Sequence, residues 1–299
     1  MNVYVAVAEE QGFSAAARRL QISPPAVTRA VAELEEQLGV KLLNRTTRFV
    51  RVTEAGQRYL EDARRILSDV ESASETAAGI NAEPGGHLTV TAPVLFGRMF
   101  VMPGIVDYLN QYPKTEVSAM FVDRVVNMLE EGVDVGIRIG NLPDSSLKAL
   151  KAGSVRVVTC ASSEYLEKNG QPKTPRQLVS HSVIASSAGD RAVDWRFEKG
   201  ATDKKPQNVR IRPRLSVTSN DAAIEAAVKG FGITRLLSYQ VSSYVESGAL
   251  TVFMQEYEPP PRPVYVVHRE GRLASARIRS FVDLMVSHLR SSHPFFPEG

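Results

Sequence analysis

Apolar residues recur at helical spacing through the first fifty positions, but two consecutive prolines, Pro24 and Pro25, stand in the middle of the pattern. Proline inside a helix removes a hydrogen-bond donor and costs about 3 kcal/mol, so the pair either excludes a helix or begins one. Ser23 is a residue type that caps helix N-termini, and proline is tolerated in the first turn. We therefore predict a helix that starts at Pro24 and ends at Gly39, a residue typical of helix C-termini.

The residues around this helix predict a helix-turn-helix. Ser14 is expected to cap a preceding helix over residues 15–20, and Gln21-Ile22 would form the turn between the two helices. The second helix places four apolar residues on one face, at spacings of four, three and four: Val27, Val31, Leu34 and Leu38.

The exposed start of the second helix would present Pro24, Pro25, Thr28 and Arg29. In a helix-turn-helix this end enters the major groove of double-stranded DNA, where Arg29 would bind guanine acceptors and Thr28 a base or a phosphate. The acidic residues of the back half, Glu33, Glu35 and Glu36, would be repelled by phosphates. An amphipathic helical hairpin that binds no DNA gives the same apolar pattern, so that alternative stays open.

The next segment, KLLNRTTRFVRVT, is basic and contains no acidic residue. Its pattern predicts a β-hairpin that turns near Thr46-Thr47, as in a winged helix, and basic side chains there would hold DNA phosphates. A solvated basic loop is the alternative. The candidate DNA-binding residues are Ser14, Ser23, Pro24, Pro25, Thr28, Arg29, Lys41, Arg45, Thr46, Arg48 and Arg51.

Residues 53–83 are predicted to form a linker helix. Spacings of four and three alternate over about three heptads, through Gly56, Leu60, Ala63, Leu67, Val70, Ser74 and Ala77. Such a seam favours pairing with a second copy of the chain, with Leu60, Ala63, Leu67, Val70 and Ala77 as the candidate dimerisation residues. The alternative is that the helix packs against its own N-terminal domain.

After Pro84, strand-like and helix-like segments alternate to the end of the chain. Eight segments are predicted strands: HLTVTA, EVSAMFV, VDVGIRI, SVRVVTCA, SVIASS, RLSVTS, LTVFMQ and PVYVVH. Helices are predicted at about 98–111, 124–131, 221–229, 238–246 and 274–289. This alternation predicts an α/β domain with largely parallel sheets. The predicted domains are residues 1–52, 53–83 and 84–299.

Composition excludes several classes of protein. The 299 residues suffice for two or three domains, and the net charge is only +3. We expect no membrane-spanning helix and no signal peptide, because the sequence lacks both apolar patterns. The single cysteine, Cys160, excludes an internal disulfide framework and suits a reducing cytosol. The five histidines lack metal-ligand spacing, and no catalytic or phosphate-binding motif occurs, so we expect no metal, cofactor or enzymatic activity.

The segment from Phe13 to Gly56, FSAAARRLQISPPAVTRAVAELEEQLGVKLLNRTTRFVRVTEAG, resembles the LysR-type transcriptional regulators. The family pattern there is a small-residue-rich helix, a Ser-x-Pro helix entry, LE-x-x-LG, an Arg-Thr wing and a closing TEAG. The resemblance continues in HLTVTAPVLFGR, VDVGIRIGNLPDSSL and AAVKGFGITRLLSYQ, and points to a subgroup with APV-x-FGR after the first strand. It implies a winged helix-turn-helix, a long linker helix and a C-terminal domain similar to periplasmic binding proteins, with two α/β subdomains around a ligand cleft.

The sequence departs from the family pattern at its start. Many members carry a base-reading glutamine at the position of Pro24, so the contact is expected to shift to Thr28, Arg29 and the wing. The family also usually has several residues before the segment that begins here at Met1, so a shortened first helix is expected.

The resemblance also suggests where the chain passes between the two subdomains. We expect the first crossing near Ala161 and the return near Pro263. Subdomain I would then comprise about 87–161 and 264–290, and subdomain II about 162–263.

Effector contacts carried over from the family, or expected at strand ends beside them, are Pro93, Val94, Leu95, Phe96, Asp123, Arg138, Ser186, Asn220, Thr234 and Arg235. Leu95 stands where many members have a serine or threonine that binds a carboxylate, which favours a more apolar effector. Arg138 and Arg235 would neutralise an anion, and their alternative role is in structural ion pairs.

The sequence thus predicts a cytoplasmic, sequence-specific transcriptional regulator whose small-molecule effector binds between two α/β subdomains and changes the angle between them. The resemblance implies a homodimer and a homotetramer built from two dimers, and it allows a contact with RNA polymerase. The alternative is a small-molecule-binding protein whose DNA-binding domain is vestigial. Salt-dependent binding to duplex DNA would separate the two.

Overall fold

The computed structural model of the chain describes residues 1–45, 50–78, 83–142, 147–186, 192–199, 203–269 and 274–291. Its N-terminal part has three helices around one apolar core and an antiparallel two-stranded wing: α1 (Asn2–Glu9), α2 (Phe13–Leu20), α3 (Pro24–Leu38), β1 (Leu43–Arg45) and β2 (Val50–Val52). This is a winged helix-turn-helix, in agreement with the sequence pattern.

The proline pair begins α3, as predicted. Ser23 is the N-cap in extended conformation, Pro24 and Pro25 are the first two helical residues, and Gly39 ends the helix with a φ of 66°. The serine hydroxyl, however, makes no capping hydrogen bond. An N-cap side chain bonds the second or third helical N–H. Here Pro25 has none, and the Ala26 N–H donates to the Ser23 carbonyl at 3.0 Å.

The predicted cap of α2 was wrong. This helix starts at Phe13 with Gly12 as its N-cap, so Ser14 lies inside the helix, with its side chain exposed. The predicted apolar face of α3 is also shorter than expected. Val27 and Val31 are fully buried, whereas Leu38 is 43% exposed at the end of the helix.

The linker is a single helix, α4 (Glu54–Ala78), and its first turns belong to the DNA-binding domain. Leu60 and Ala63 are buried in the winged-helix core, and the Tyr4 hydroxyl donates to the Gly56 carbonyl at 2.8 Å. Arg64 forms an ion pair with Glu9 of α1 at 2.9 Å. For this part of the predicted seam, the alternative of packing within its own domain is therefore correct.

Beyond Arg64 the apolar side chains of the helix become more exposed. Leu67 is half-buried, while Ile66 and Val70 are 43% and 57% exposed. Ile66 was not part of the predicted seam. The side chains of Ser74 and Ala77 lie outside the described residues, so their predicted part in the seam stays a prediction.

The C-terminal part alternates strands and helices. Its strands are β3 (Gly86–Ala92), β4 (Thr115–Phe121), β5 (Val135–Ile139), β6 (Lys148–Val155), β7 (Val157–Ala161), β8 (Val183–Ser186), β9 (Val193–Lys199), β10 (Asp203–Ile211), β11 (Leu215–Val217), β12 (Ile233–Leu237), β13 (Thr251–Phe253) and β14 (Arg262–His268). Its α-helices are α5 (Val94–Phe96), α6 (Met102–Gln111), α7 (Ser163–Asn169), α8 (Asn220–Val228), α9 (Ser238–Glu246) and α10 (Ala276–Ser291).

Two five-stranded sheets organise this part, in the orders β4-β3-β5-β14-β6 and β11-β8-β12-β7-β13. Each sheet contains two parallel and two antiparallel pairings, so both sheets are mixed. The prediction of largely parallel sheets was therefore wrong. Strands β9 and β10 form a separate antiparallel hairpin.

The chain crosses between the sheets at two places. The predicted strand SVRVVTCA is in fact the junction of β6 in the first sheet and β7 in the second, so the first crossing is at Arg156 rather than near Ala161. The return lies between Phe253 of β13 and Arg262 of β14, and includes three prolines, Pro259 to Pro261.

Sequence reasoning mispredicted a few elements. Residues 124–131 form turns instead of a helix, because the Asn127 side chain accepts from the Leu129 and Glu130 amides and Arg124 pairs with Glu131. Asparagine competes with the helical backbone for such donors. Strands β6, β9, β10 and β12 and helix α7 were missed wholly or in part.

Candidate functional site

The start of α3 is an exposed surface, as the sequence predicted. The side chains of Ser23, Pro24, Pro25, Thr28 and Arg29 are all exposed there. The Thr28 hydroxyl donates to the Pro24 carbonyl at 3.1 Å, which leaves its oxygen as an acceptor. Arg29 forms no hydrogen bond or ion pair with the described residues, so its guanidinium is available for the acceptors of a guanine.

The same helix start offers few backbone donors. Helix N-termini commonly hold phosphates through unpaired N–H groups. In α3 the first two residues are prolines, and the amides of Ala26 and Val27 both donate to the Ser23 carbonyl. Any DNA contact at this end would therefore be made mainly by side chains.

Glu35 has a structural role that its sequence position did not indicate. The Glu35 side chain is 1% exposed, and its carboxylate accepts from the Leu42 and Leu43 amides at 2.9 and 3.1 Å and pairs with Lys41 at 2.7 Å. Desolvation is the largest influence and raises the pKa of Glu35, but these hydrogen bonds together lower it below its usual value. Glu35 thus links α3 to the start of the wing through hydrogen bonds. The prediction that Glu35 is a surface charge that repels phosphates was wrong.

Two predicted wing residues can be placed. Lys41 carries an exposed ammonium group that is held by Glu35, and Arg51 is exposed on β2. Arg45 ends β1, but its side chain lies outside the described residues, as do Thr46 and Arg48 entirely. The wing turn itself, between Arg45 and Val50, stays a prediction.

A cavity of about 630 Å³ lies between the two sheets of the C-terminal part and collects five of the ten predicted effector residues: Pro93, Asp123, Arg138, Ser186 and Asn220. Its described lining also includes residues that sequence reasoning missed, among them Leu237, Tyr239, Gln240 and Arg262. Leu237, Tyr239 and Gln240 lie where β12 passes into α9. Recognising GITRL as a strand would have placed them at a strand end, where open α/β sheets bind ligands.

The polar groups of this cavity are fixed by local contacts. Asp123 accepts from the Val94 amide at 3.0 Å, and Arg138 donates to the Val126 carbonyl at 2.9 Å. Burial lowers the pKa of Arg138, and Glu131 partly opposes this. Neither Arg138 nor Arg262 forms an ion pair with a described residue.

We call this cavity the first cavity. Its charged lining residues are mainly arginines. Arg124 also lines it, but this guanidinium is already paired with Glu131 through two hydrogen bonds. The two arginines with no described carboxylate partner face one lining carboxylate, Asp123. Such a lining suits a ligand with at least one negative charge.

The other predicted effector residues do not line the first cavity. Leu95 and Phe96 are buried, and the ring of Phe96 packs edge-on against Tyr239 with centroids 5.2 Å apart. Thr234 is fully buried and donates to the Ile184 carbonyl at 3.3 Å. Val94 contributes the amide that donates to Asp123. Because the Leu95 side chain points into the core, its identity gives no argument for an apolar effector.

Arg235 lines a different cavity, so it does not share the first cavity with Arg138. Cys160 is fully buried in β7, and burial raises the pKa of its thiol to about 12, which keeps it protonated. Within the described ranges, no three or more His, Cys, Asp or Glu residues are grouped so that they could hold a metal. No helix in that same part of the chain is long and apolar enough to span a membrane.

Comparisons with known proteins agree with this architecture. Residues 1–57 match the family described as "Bacterial regulatory helix-turn-helix protein, lysR family", and residues 81–290 match "LysR substrate binding domain". The chain is 31% identical over 297 residues to the HTH-type transcriptional regulator DmlR of Escherichia coli, covering 99% of this chain and 95% of that protein.

Solved structures are similar over the full length. The structure of CrgA, a LysR-type transcriptional regulator from Neisseria meningitidis, has 30% sequence identity and a TM-score of 0.61, over 96% of this chain and 97% of that one. The full-length virulence activator AphB of Vibrio cholerae gives a TM-score of 0.60 at 24% identity, over 96% and 97%. With both domains matched by family and by fold, the chain belongs to the LysR family of transcriptional regulators, which bind DNA through the helix-turn-helix and respond to an effector.

Proposed function

We propose that the first cavity is the effector site of this regulator and that the effector is a small organic anion with further hydrogen-bond acceptors. The observation that carries the proposal is the convergence of Arg138 and Arg262 with polar side chains from both sheets in one cavity of about 630 Å³. That volume suits a small metabolite. Arginine would hold a carboxylate through paired hydrogen bonds, and Ser186, Asn220 and Gln240 would fix its orientation.

Effector binding would act on the angle between the two sheets. The lining residues come from both sheets, and Phe96 from one side contacts Tyr239 from the other. A ligand that contacts both sides favours whichever angle allows all of its contacts. The resulting shift would change how two DNA-binding domains are spaced on their site.

The DNA-binding surface in this proposal is the start of α3 and the wing. Arg29 reads a base edge, Thr28 offers an acceptor to a base or a water, and Arg51 binds a phosphate. Two such surfaces are joined in a homodimer through the exposed part of α4 around Ile66 and Val70. A homotetramer built from two dimers follows the family resemblance.

The first cavity is proposed to bind its ligand without transforming it. Ser186 and Thr218 are hydroxyl groups in its lining, but no histidine or cysteine occurs among the described lining residues. A hydroxyl nucleophile needs an adjacent base, and the lining carboxylate of Asp123 accepts from the Val94 amide rather than from either hydroxyl. The protein would act in the cytoplasm, where bacterial promoter DNA lies.

The experiment that tests the effector site is a thermal-shift screen of small organic acids against the full-length protein, because a ligand that binds the native state raises its apparent stability. A non-aromatic carboxylate that stabilises the wild type should fail to stabilise Arg138→Gln. Arg176→Gln is the matched control, since Arg176 is exposed and outside the described cavity linings. Equal responses of the two variants, or equal stabilisation by an uncharged analogue, would refute the proposal.

A further inference from the structure

A second cavity, of about 710 Å³, lies beside the segment that returns from β13 to β14. Its lining includes Gly140 and Asn141 from the end of β5, Trp195 from the β9–β10 hairpin, Arg235 from β12 and the prolines Pro259 to Pro261. Ile139 and Arg262 line both this cavity and the first one. Like the first cavity, it therefore draws its wall from both sheets.

Arg235 occupies this cavity in an unusual setting for an arginine. Its guanidinium carbon lies 4.2 Å from the centre of the Phe197 ring, and one terminal nitrogen donates to the Arg196 carbonyl at 2.5 Å. Its Nε is buried without a hydrogen-bond partner. Among the described residues no carboxylate pairs with Arg235, and nearby Glu258 is instead bound by Arg156 through two hydrogen bonds.

The charges around Arg235 leave a cationic surplus. Burial and the neighbouring Arg262 lower the pKa of Arg235 to about 10, which still leaves it charged at neutral pH. Of the other charged lining residues, Arg196 and Glu198 pair with each other at 2.8 Å. Arg235 and Arg262 then face a single remaining lining carboxylate, the exposed Asp194.

The second cavity also has an apolar part in its lining. Trp195, Val157 and the three prolines present ring and aliphatic surfaces beside the two arginines. Proline rings lose little entropy when a ligand packs against them, and an indole face suits a planar ring. The cavity thus combines a site for a carboxylate with a wall for a flat apolar body.

We propose that this second cavity is a binding site for a small aromatic carboxylate, held between Arg235 and Arg262 with its ring against Trp195 and the proline segment. The site differs from the proposed effector site, although Ile139 and Arg262 border both. A ligand in it would contact both sheets and bias the angle between them from a second position.

Trp195 provides a direct readout, because it is the only tryptophan of the chain and lines the second cavity. The probe is benzoate, titrated against the full-length protein while tryptophan fluorescence is followed. The expected result is a saturable change in emission, with no such change for benzyl alcohol, the uncharged analogue. A change that grows linearly with benzoate, as in collisional quenching, would overturn the proposal.

Two matched variants locate the probe. Arg235→Gln should weaken the benzoate response by about tenfold or more, as expected for a lost charge-assisted hydrogen bond, whereas Arg138→Gln should leave it unchanged. The opposite pattern would place benzoate in the first cavity and overturn this proposal without affecting the effector site. Conversely, equal responses of Arg138→Gln and its control in the effector screen would refute the effector site. That outcome would not affect the prediction for the second cavity.

A third variant keeps the test valid if Arg235→Gln disturbs the hairpin. Asp194 lines the second cavity and carries a charge opposite in sign to those of Arg235 and Arg262. Because Asp194 is exposed, Asp194→Asn should not affect folding. Removing this negative charge should strengthen benzoate binding by about threefold, the scale of an exposed charge interaction. Unchanged or weaker binding would contradict an anion site at this position.

Discussion

Arg156 and Glu258 join the two segments in which the chain passes between the sheets of the C-terminal part. Arg156 is the single residue between β6 and β7, and Glu258 lies on the return from β13 to β14. Nε and Nη2 of the arginine donate to the two carboxylate oxygens at 2.8 and 2.9 Å. The arginine and glutamate side chains are 29% and 12% exposed, so a partly buried ion pair links the two crossings, where the proposed change of angle would occur.

Removing one partner of this pair should destabilise the C-terminal domain. Glu258→Gln would remove the charge of the carboxylate that accepts two hydrogen bonds from the partly buried Arg156, at a cost of about 2 kcal/mol. Urea unfolding followed by circular dichroism measures this loss. The double variant Arg156→Met/Glu258→Gln should lose less than the two single changes added together, and strict additivity would show that the pair is not coupled.

The Glu35 carboxylate should make the stability of the winged helix depend on pH. Its folded-state pKa is lowered, so its contribution is present above the unfolded-state pKa of about 4.3 and is lost as the pH falls through the folded value. Glu35→Gln should therefore be less stable than the wild type at pH 7, by about 1–2 kcal/mol. The difference should shrink as the pH is lowered below about 4.

The check is thermal unfolding of both proteins across that pH range. Glu36→Gln serves as the matched control, because Glu36 is the exposed neighbour on the same helix. A difference between wild type and Glu35→Gln that stays constant down to acid pH would show that the Lys41 and amide contacts do not depend on the charge of Glu35.

Gly56 should tolerate no larger residue. A Cβ at this position would lie 2.1 Å from the Leu42 carbonyl oxygen and 2.9 Å from the Tyr4 hydroxyl, both in the core where α4 leaves the wing. Gly56→Ala should therefore destabilise the DNA-binding domain by about 1–3 kcal/mol through overpacking. Gly85→Ala is the control, since Gly85 caps no helix and the nearest atom to a Cβ there lies at 3.6 Å. Equal melting temperatures for the two variants would contradict the close packing.

The helix-turn-helix and most strands could be predicted because their signals are local. A proline pair after serine marks a helix start, and runs of β-branched residues mark strands. The break at Arg156 has no such signal, since SVRVVTCA reads as one continuous apolar strand. Strand β9, VDWRFEK, was missed for a different reason: its many charged residues are also typical of a surface loop.

The sites were harder to predict than the fold, because side-chain direction depends on packing. The short helix α5 turns Leu95 and Phe96 into the core, although their neighbour Pro93 lines the first cavity. Glu35 was interpreted as a solvated charge because charged residues are seldom buried without a partner. Its partners are two amides and an ammonium from the following segment, and only the folded wing brings them together.

Arg29 and Arg51 should affect DNA binding in different ways. Arg29→Ala should weaken binding to the specific site by about 1–3 kcal/mol and relax the preference at one base pair, because a base-reading contact is lost. Arg51→Ala should weaken binding to specific and random duplexes alike and reduce the slope of log K against log salt by about 0.9, the value for one phosphate contact. Fluorescence anisotropy at several salt concentrations measures both. Arg176→Ala, far along the chain from the winged helix, should change neither quantity. An equal loss for Arg29→Ala on specific and random DNA would reassign this side chain to a phosphate, and base recognition by α3 would then fall to Thr28 and the proline pair.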